Sequence, residues 1–460
     1  MRAMIDKTQQ TPEQNPRADG IAARLRAFDV LDLVLEQGKT LEEAFDAAQR
    51  GKTGKQGPHS DRDSAHARMM VLTVLRRLGQ IDALLNRFLT RKPSGKGRAA
   101  LTLLRLGAGQ ILFMETPPHA AGSTALAVAD KRNLAGFKGL VNAVLRKVAA
   151  AAQSVQTQDA ARLNMPDWLW KACADAYGKP VARELGVAHL VEAPLDLTVK
   201  GDDASAWVEK LGGALLPTGS VRLWNAGDVR KLPGYRDGAW WVQDAAAALP
   251  VKLLIGAMDN PGSGHVGDLC AAPGGKTAQL AAAGYTVTSV DNSAPRLDRL
   301  RENLERLSLK AKVVQADALS WKPDELLDGL LLDAPCSATG TVRRHPDLPW
   351  RKGGWDRDKL TALQKSLLLH SVQLVKPGAP LVYATCSLLP EEGEEVVEAA
   401  MAEDPTLVLD PVGADELTYL PEASREGGLV RTLPSFWQQR SGNRRGGMDG
   451  FFIARFRRGV

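Results

Sequence analysis

The spacing of apolar residues changes character along this chain. Between residues 21 and 50 they recur at helical intervals. Ile21, Leu25, Phe28, Leu31, Val34 and Leu35 share a face, and Gly38 ends the run. The same periodicity predicts helices over 64–79, 81–90, 97–112, 120–131 and 138–151, with no alternating β-branched stretch between them. Residues 20–150 therefore read as an all-helical domain. Ahead of it, residues 1–19 are polar, lack the apolar centre of a signal peptide, and read as a disordered lead-in. Behind it, the Ala- and Gln-rich stretch 149–163 has little to pack, which sets a linker at 151–163. Residues 164–245 are mixed. Helical stretches near 167–177 and 179–186 precede short strands in PLDLTVK and AWWVQ, and Trp168, Trp170, Trp240 and Trp241 read as packing residues.

The remainder, 246–460, is a third pattern. From residue 265, HVGDLC, YTVTSVD, AKVVQAD, DGLLLDAP, APLVYATC and DGFFIARF are short apolar runs, and helices at 276–283, 294–307, 357–375 and 391–402 separate several of them. Strand and helix in alternation predict a doubly wound α/β domain with a mostly parallel sheet. Such sheets bind ligands at the carboxyl ends of their strands. Here those ends carry Asp268-Leu-Cys270, Asp291, Asp317, Asp333-Ala-Pro-Cys336 and Thr385-Cys386, so the unusual residues gather on one edge.

Charge separates the front of the chain from the rest. Residues 1–150 hold 24 Lys and Arg against 14 Asp and Glu, a surplus of ten, while the remainder holds 35 against 39. A basic module beside a near-neutral body suits a polyanion, with the loop RGKTGKQGPHSDRD (50–63) as its most basic stretch. The plainer alternative is a set of solvated helix faces. Hydrophobic residues at 44% and charged residues at 24% are ordinary for a globular chain. No run of about 18 apolar residues argues for a membrane span. The expectation is a cytoplasmic monomer. Its four cysteines, Cys173, Cys270, Cys336 and Cys386, are then reduced, and no His/Cys cluster has zinc spacing.

The chemistry is read from the strand ends. DLCAAPGGKT (268–277) follows a strand and opens a helix, and its small residues let a ligand approach the backbone. It is neither GxGxxG nor a P-loop, because no glycine stands five residues before Gly275. Asp291 could accept ribose hydroxyls, and Asp317 could meet an adenine amino group. A single strand-end aspartate is ordinarily a cap or turn residue. Three in consecutive units fit an adenosyl cofactor without a pyrophosphate. Cys336 and Cys386 each follow an apolar strand, where cysteine is ordinarily packing. Two on the ligand edge suggest a thiolate nucleophile, and the residues alone do not choose between them.

These segments resemble the RNA (cytosine-5)-methyltransferases of the RsmB/Nop/Sun type. DLCAAPGGKT is similar to that family's cofactor loop, DAPCSATG to its first cysteine motif and ATCSLLPEEGE to its second. GTVRRHPDLPW, DGFFIARF and VQDAAAALP (242–250) also fit, so the likeness runs from about 230 to 456. The resemblance implies a class I, Rossmann-like S-adenosyl-L-methionine-dependent methyltransferase domain. It implies that Cys270, Ala271, Ala272, Pro273, Gly274, Gly275 and Lys276 line the cofactor with Asp291, Asp317 and Asp333. It implies Cys386 as the attacking thiolate, Cys336 as the residue that helps release the methylated base, and no metal. Residues 21–150 resemble a NusB-like RNA-binding domain, through GLVNAVLRKV (139–148) and DRDSAHARMMVLTVLRR (61–77). The pair points to the bacterial subgroup acting on small-subunit (16S) ribosomal RNA. Lys200 closes PLDLTVK where such proteins commonly carry Arg-Val-Asn. A transfer RNA target, a non-catalytic RNA-binding adaptor and a nicotinamide dehydrogenase are the rival readings. The last lacks the glycine fingerprint and gives the two cysteines no role.

Overall fold

The computed structural model describes residues 16–50, 61–91, 93–201, 203–351, 356–437 and 446–459. The chain divides into two compact units. One runs to Pro166 and takes in Trp350; the other is built from Asp167–Pro349 and the stretch beyond Gly354. Most of the lead-in and of the basic loop 50–63 lies outside the described residues.

The first unit is helical: α1 (Pro16–Gln37), α2 (Leu41–Arg50), α3 (Asp61–Arg76), α4 (Leu78–Asn86), α5 (Arg98–Phe113), α6 (Pro118–Lys131), α7 (Lys138–Ala150) and the short α8 (Ala160–Leu163). The helical run expected over 21–50 is two helices. Gly38 turns left-handed (φ +71°), and its N–H and that of Lys39 return to Val34 O and Leu33 O, both at 3.2 Å. Thr40 then starts α2. Its Oγ1 accepts from Glu43 N (3.2 Å) while Glu43 Oε2 accepts from Thr40 N (2.9 Å), a reciprocal cap. Helix α5 is buried along most of its length. Gly107 and Gly109 lie where Leu145 of α7 and Val74 of α3 press in; a Cβ would come within 2.8 and 2.6 Å of them. The expected linker at 151–163 is instead ordered and packed. Val155 joins the helical core, and buried Asn164 accepts from Gln80 N (3.1 Å) and donates to Gln80 Oε1 (2.9 Å). One valine and one amide suffice to anchor a stretch whose composition promises little.

The second unit opens with α9 (Asp167–His189), kinked at Gly178, where the two expected helices meet. A small antiparallel sheet follows: β1 (Leu195–Val199), α10 (Ala204–Leu211), β2 (Ala214–Leu215), β3 (Val221–Leu223) and β4 (Trp240–Val242), in the order β2-β3-β1-β4. Fully buried Trp240 fills its core, and Arg222 forms a buried bidentate pair with Asp196 at 2.6 and 2.7 Å. Lys200 donates to Leu307 O (2.8 Å).

The main sheet comprises β5 (His265–Leu269), β6 (Thr286–Asp291), β7 (Lys312–Gln315), β8 (Gly329–Asp333), β9 (Pro380–Thr385), β10 (Leu407–Leu409), β11 (Val430–Thr432) and β12 (Phe451–Arg458). Its order is β10-β12-β9-β8-β5-β6-β7, with β11 also on β12. The five strands from β9 to β7 are parallel, and β10, β11 and β12 are antiparallel additions. Helices α11 (Leu249–Gly256), α12 (Gly275–Ala282), α13 (Ala294–Arg306), α14 (Arg357–Val372) and α15 (Glu394–Glu403) accompany it. Strands β8 and β9 are mostly apolar up to their last residues, Asp333 and Thr385, because both faces are covered. On α13 only Leu297, Leu300 and Leu304 are buried, the single stripe its sequence offers. No helix among the described residues is long and apolar enough to cross a membrane.

Candidate active site

The loop after β5 is held from several sides. Cys270 adopts a left-handed conformation (φ +58°), which turns the chain off the strand. Ala271 N donates to Val290 O (3.1 Å) and Ala272 N to Asp291 Oδ2 (3.1 Å). Asp291 Oδ1 accepts from Ser293 N (3.0 Å), so this buried carboxylate ties the loop to the start of α13. Arg296 closes the arrangement, 3.6 Å from Asp291 Oδ2 and donating to Ala272 O. Gly274 caps α12 with φ +98°, and a Cβ there would lie 2.7 Å from Leu300 Cγ. Beneath the loop, Asp268 is fully buried. Its Oδ2 accepts from Thr277 Oγ1 (2.6 Å), and its Oδ1 has no hydrogen-bond partner. Burial raises its pKa to about 7 and that of Cys270 to about 12.

Lys276 connects this loop to the next strand. Its Nζ lies 2.7 Å from Asp333 Oδ2 and 5.2 Å from the centroid of the Phe451 ring. Burial pulls the lysine pKa down, but the Asp333 carboxylate outweighs it and the pKa rises; the charge of Cys386 adds to the rise.

The two cysteines meet. Cys336 follows β8 and Cys386 follows its parallel neighbour β9, and their Sγ atoms are 3.4 Å apart. Both are partly exposed, and all four cysteines are free thiols. The pair is not symmetrical. The hydrogen bond to Cys386, and then burial, raise the Cys336 pKa well above that of an ordinary thiol. Arg344 has its pKa lowered by burial but raised more by Asp449, with Cys386 again contributing. The cations Lys276 and Arg344 thus both feel the Cys386 sulfur. Arg344 is itself fixed by Asp449, whose Oδ2 accepts from Nε at 2.8 Å. Asp449 N donates to Asp244 Oδ1 (3.0 Å), which brings in the 242–250 segment.

Glu392 lies behind the thiols, fully buried. Its Oε1 accepts from Ser337 N (2.9 Å) and Gln364 Nε2 (3.4 Å), and its Oε2 from Ser337 Oγ (2.5 Å). Its own carbonyl accepts from Tyr383 OH (2.9 Å) and Thr385 Oγ1 (3.3 Å). Ser337, Thr339 and Ser387 form a triangle of hydroxyls at 3.2 Å, and Gly340 N donates to Cys386 O (2.9 Å). The loops that carry the two cysteines are therefore one hydrogen-bonded body.

Of the residues singled out in the sequence, the structure brings together the loop Cys270–Lys276 with Asp291 and Asp333, and Cys336 with Cys386. Asp317 stands apart. It is exposed, lies two residues beyond β7, and caps its own turn, accepting from Leu319 N at 3.0 Å. Cys173 is buried in α9, and burial lifts its pKa to about 12. Sequence reasoning missed Glu392 and the Arg344–Asp449 pair, and placed Asp268 on the ligand edge without giving it a role. The last has a signal, a carboxylate inside an otherwise apolar strand end; Glu392 is one of several glutamates in its segment.

The donor set has a chemical preference. Asp268, Asp291 and Asp333 crowd the loop against Lys276, so a polyphosphate would meet carboxylates. A ligand that brings hydroxyls, an amine and a positive charge would meet acceptors instead.

Comparison with known proteins agrees with this geometry. Residues 258–457 match the family described as 16S rRNA methyltransferase RsmB/F, and residues 21–150 match the NusB family. The ribosomal RNA small subunit methyltransferase B of Klebsiella pneumoniae (strain 342) is 36% identical over 413 residues, covering 85% of this chain and 92% of that protein. Among solved structures, the protein crystallised as PH0851 superposes with a TM-score of 0.73 at 21% identity, over 98% of this chain and 100% of its own, a likeness of fold. A methyltransferase homolog protein from Pyrococcus horikoshii gives a TM-score of 0.51 at 25% identity, over 65% of this chain and 97% of its own.

Proposed function

The chain belongs to the 16S rRNA methyltransferase RsmB/F family and carries a NusB domain, and on that premise we propose that it methylates carbon 5 of a cytosine in small-subunit ribosomal RNA. It is an RNA methyltransferase, and its cofactor is S-adenosyl-L-methionine. The cofactor supplies a methyl group activated on a sulfonium centre. Cys270–Lys276, Asp291 and Asp333 would hold it, and these carboxylate acceptors fit its ribose hydroxyls and its two positive charges. The buried oxygen of Asp268 that lacks a donor supports the same fit.

The chain's own residues deal with the inertness of carbon 5. The Cys386 thiolate adds to carbon 6 of the ring. A sulfur–carbon bond forms, the carbon 5–carbon 6 π electrons move toward carbon 5 and the ring nitrogen, and carbon 5 becomes nucleophilic. After methylation a base removes the carbon 5 proton, the double bond re-forms and the sulfur leaves. Cys336 assists this release. Lys276 and Arg344 favour the thiolate before attack and after elimination. The observation that carries this reading is the pair of thiols 3.4 Å apart at neighbouring strand ends, with cations gathered on the Cys386 side. An RNA base modified individually must leave its stack, so the target lies in a loop or bulge, and the basic helical domain docks the surrounding RNA. The reduced thiols this chemistry needs suit the cytoplasm.

The test is methylation of purified small-subunit ribosomal RNA and of transfer RNA by the recombinant protein, with bisulfite sequencing of the products. A new protected cytosine in the ribosomal RNA is the expected result. Protection confined to transfer RNA would move the substrate, and label without any protected cytosine would remove the carbon 5 assignment.

A further inference from the structure

Glu392 is the one fully buried carboxylate beside the thiols that the chemistry above does not use. Among the described residues, no lysine, arginine or histidine stands within ion-pair distance of it. Its neighbours are the Ser337 amide and hydroxyl and the Gln364 amide, at 2.9, 2.5 and 3.4 Å. Ser337 directly follows Cys336. The carboxylate oxygens are therefore bonded to the residue beside Cys336, although Glu392 itself belongs to the segment that follows Cys386.

We infer that Glu392 is a positioning residue that decides which of the two thiols ionises: its charge, sealed behind Cys336, keeps that thiol protonated and leaves the negative charge on Cys386. The inference rests on the thiolate reading given above and adds the reason the two cysteines are not interchangeable. A buried anion disfavours a second anion nearby, and a cation favours it. The titratable and charged groups around the pair sort accordingly. Lys276, paired with Asp333, and Arg344, paired with Asp449, serve the Cys386 side. Glu392 and the Tyr383 hydroxyl face the Cys336 side. Buried Arg431 donates to Glu394 (2.9 and 2.5 Å) and to Ser387 O (2.9 Å), so its charge is already engaged by a carboxylate. Charge from Glu392 contributes to the raised pKa of Cys336, behind the larger effects of the Cys386 hydrogen bond and burial. With the proton fixed on Cys336, the 3.4 Å contact becomes a thiol donating to a thiolate, which holds Cys386 in place for attack.

The test is alkylation by iodoacetamide across a pH series, read by peptide mass spectrometry, with no RNA present. Wild type should label Cys386 ahead of Cys336. In Cys336→Ala, Cys386 should stay reactive; in Cys386→Ala, Cys336 should label slowly and only at high pH. Adding Glu392→Gln to Cys386→Ala keeps a side chain of the same shape without the charge. It should speed Cys336 labelling roughly tenfold, the effect of one pKa unit, and Glu392→Asp should not. If wild type labels Cys336 first, the nucleophile assignment itself fails. If wild type labels Cys386 first but Glu392→Gln leaves Cys336 unchanged, only the role of Glu392 fails. Should the Glu392 variants not fold, the two single cysteine variants still decide, because equal labelling of Cys336 and Cys386 in them would overturn the proposal.

Discussion

Gly274 and Gly275 are adjacent in the cofactor loop, and the same substitution should affect them differently. Gly274 has φ +98°, a conformation that costs an L-residue about 1–2 kcal/mol. An alanine Cβ there would also lie 2.7 Å from Leu300 Cγ and 3.3 Å from its Cβ and Cδ1, and Leu300 is fully buried on the inner face of α13. Displacing it adds about 1–3 kcal/mol of overpacking. Gly274→Ala should therefore destabilise the methyltransferase unit by roughly 2–5 kcal/mol. A Cβ on Gly275 meets Gln243 no closer than 3.8 Å and Trp241 at 4.0 Å, ordinary contacts, and its φ is not positive. Gly275→Ala should leave stability nearly unchanged, so that any loss it causes is in cofactor affinity. Differential scanning fluorimetry of the full chain, with and without S-adenosyl-L-methionine, separates the two. At about 2–4 °C per kcal/mol, Gly274→Ala should lower the melting transition by at least about 4 °C. Equal melting temperatures for the two variants would refute the reasoning from loop geometry.

Three further outcomes are expected. Cys386→Ser should abolish transfer of tritiated methyl groups while calorimetry shows cofactor affinity nearly intact, because a hydroxyl is a far weaker nucleophile of similar size. Asp291→Ala should weaken cofactor binding by about 1.5–3 kcal/mol, roughly ten- to 150-fold, and shrink the thermal shift on adding cofactor. Arg146 and Lys147 are exposed at the end of α7, and reversing both to Glu should weaken binding to a ribosomal RNA hairpin. If both touch phosphate, the salt slope measured by fluorescence anisotropy falls by about 1.4–1.8.

Long elements with a clear period are readable from the sequence. The helices around the core formed by Leu31, Met70, Leu104 and Leu145, and the buried strands GLLLD and PLVYAT, fall where their apolar patterns put them. The two- and three-residue strands β2, β10 and β11 carry no period to read, and β10 and β11 depend on a partner distant in sequence, β12. Within the site, residue type and strand-end position bring out the cofactor loop and both cysteines. They do not separate Asp317, which caps its own turn, from Asp291, which holds the loop. Lys200, which departs from the Arg-Val-Asn common at that place in the family, is committed to the C-terminal end of α13 through Leu307 O. Nor does PEEGEE distinguish its glutamates. Glu391 pairs with the exposed Arg357 and the half-exposed Glu394 with the buried Arg431, whereas the turn Pro390–Glu392 places Glu392 inside. Lys276, Arg344 and Asp449, which carry the charges around the thiols, stand 40 or more positions from Cys386, and the cysteine motifs do not contain them.

The central claim is a covalent bond between Cys386 and the RNA, released with the help of Cys336. The most direct measurement is to incubate Cys336→Ala with S-adenosyl-L-methionine and small-subunit ribosomal RNA, then resolve the mixture on a denaturing gel and map the cross-linked peptide. The account predicts a slow-migrating protein–RNA species whose linkage lies on Cys386, and which is absent from the Cys336→Ala/Cys386→Ala double variant. No trapped species from an otherwise cofactor-binding Cys336→Ala protein, or a linkage at another residue, would contradict it.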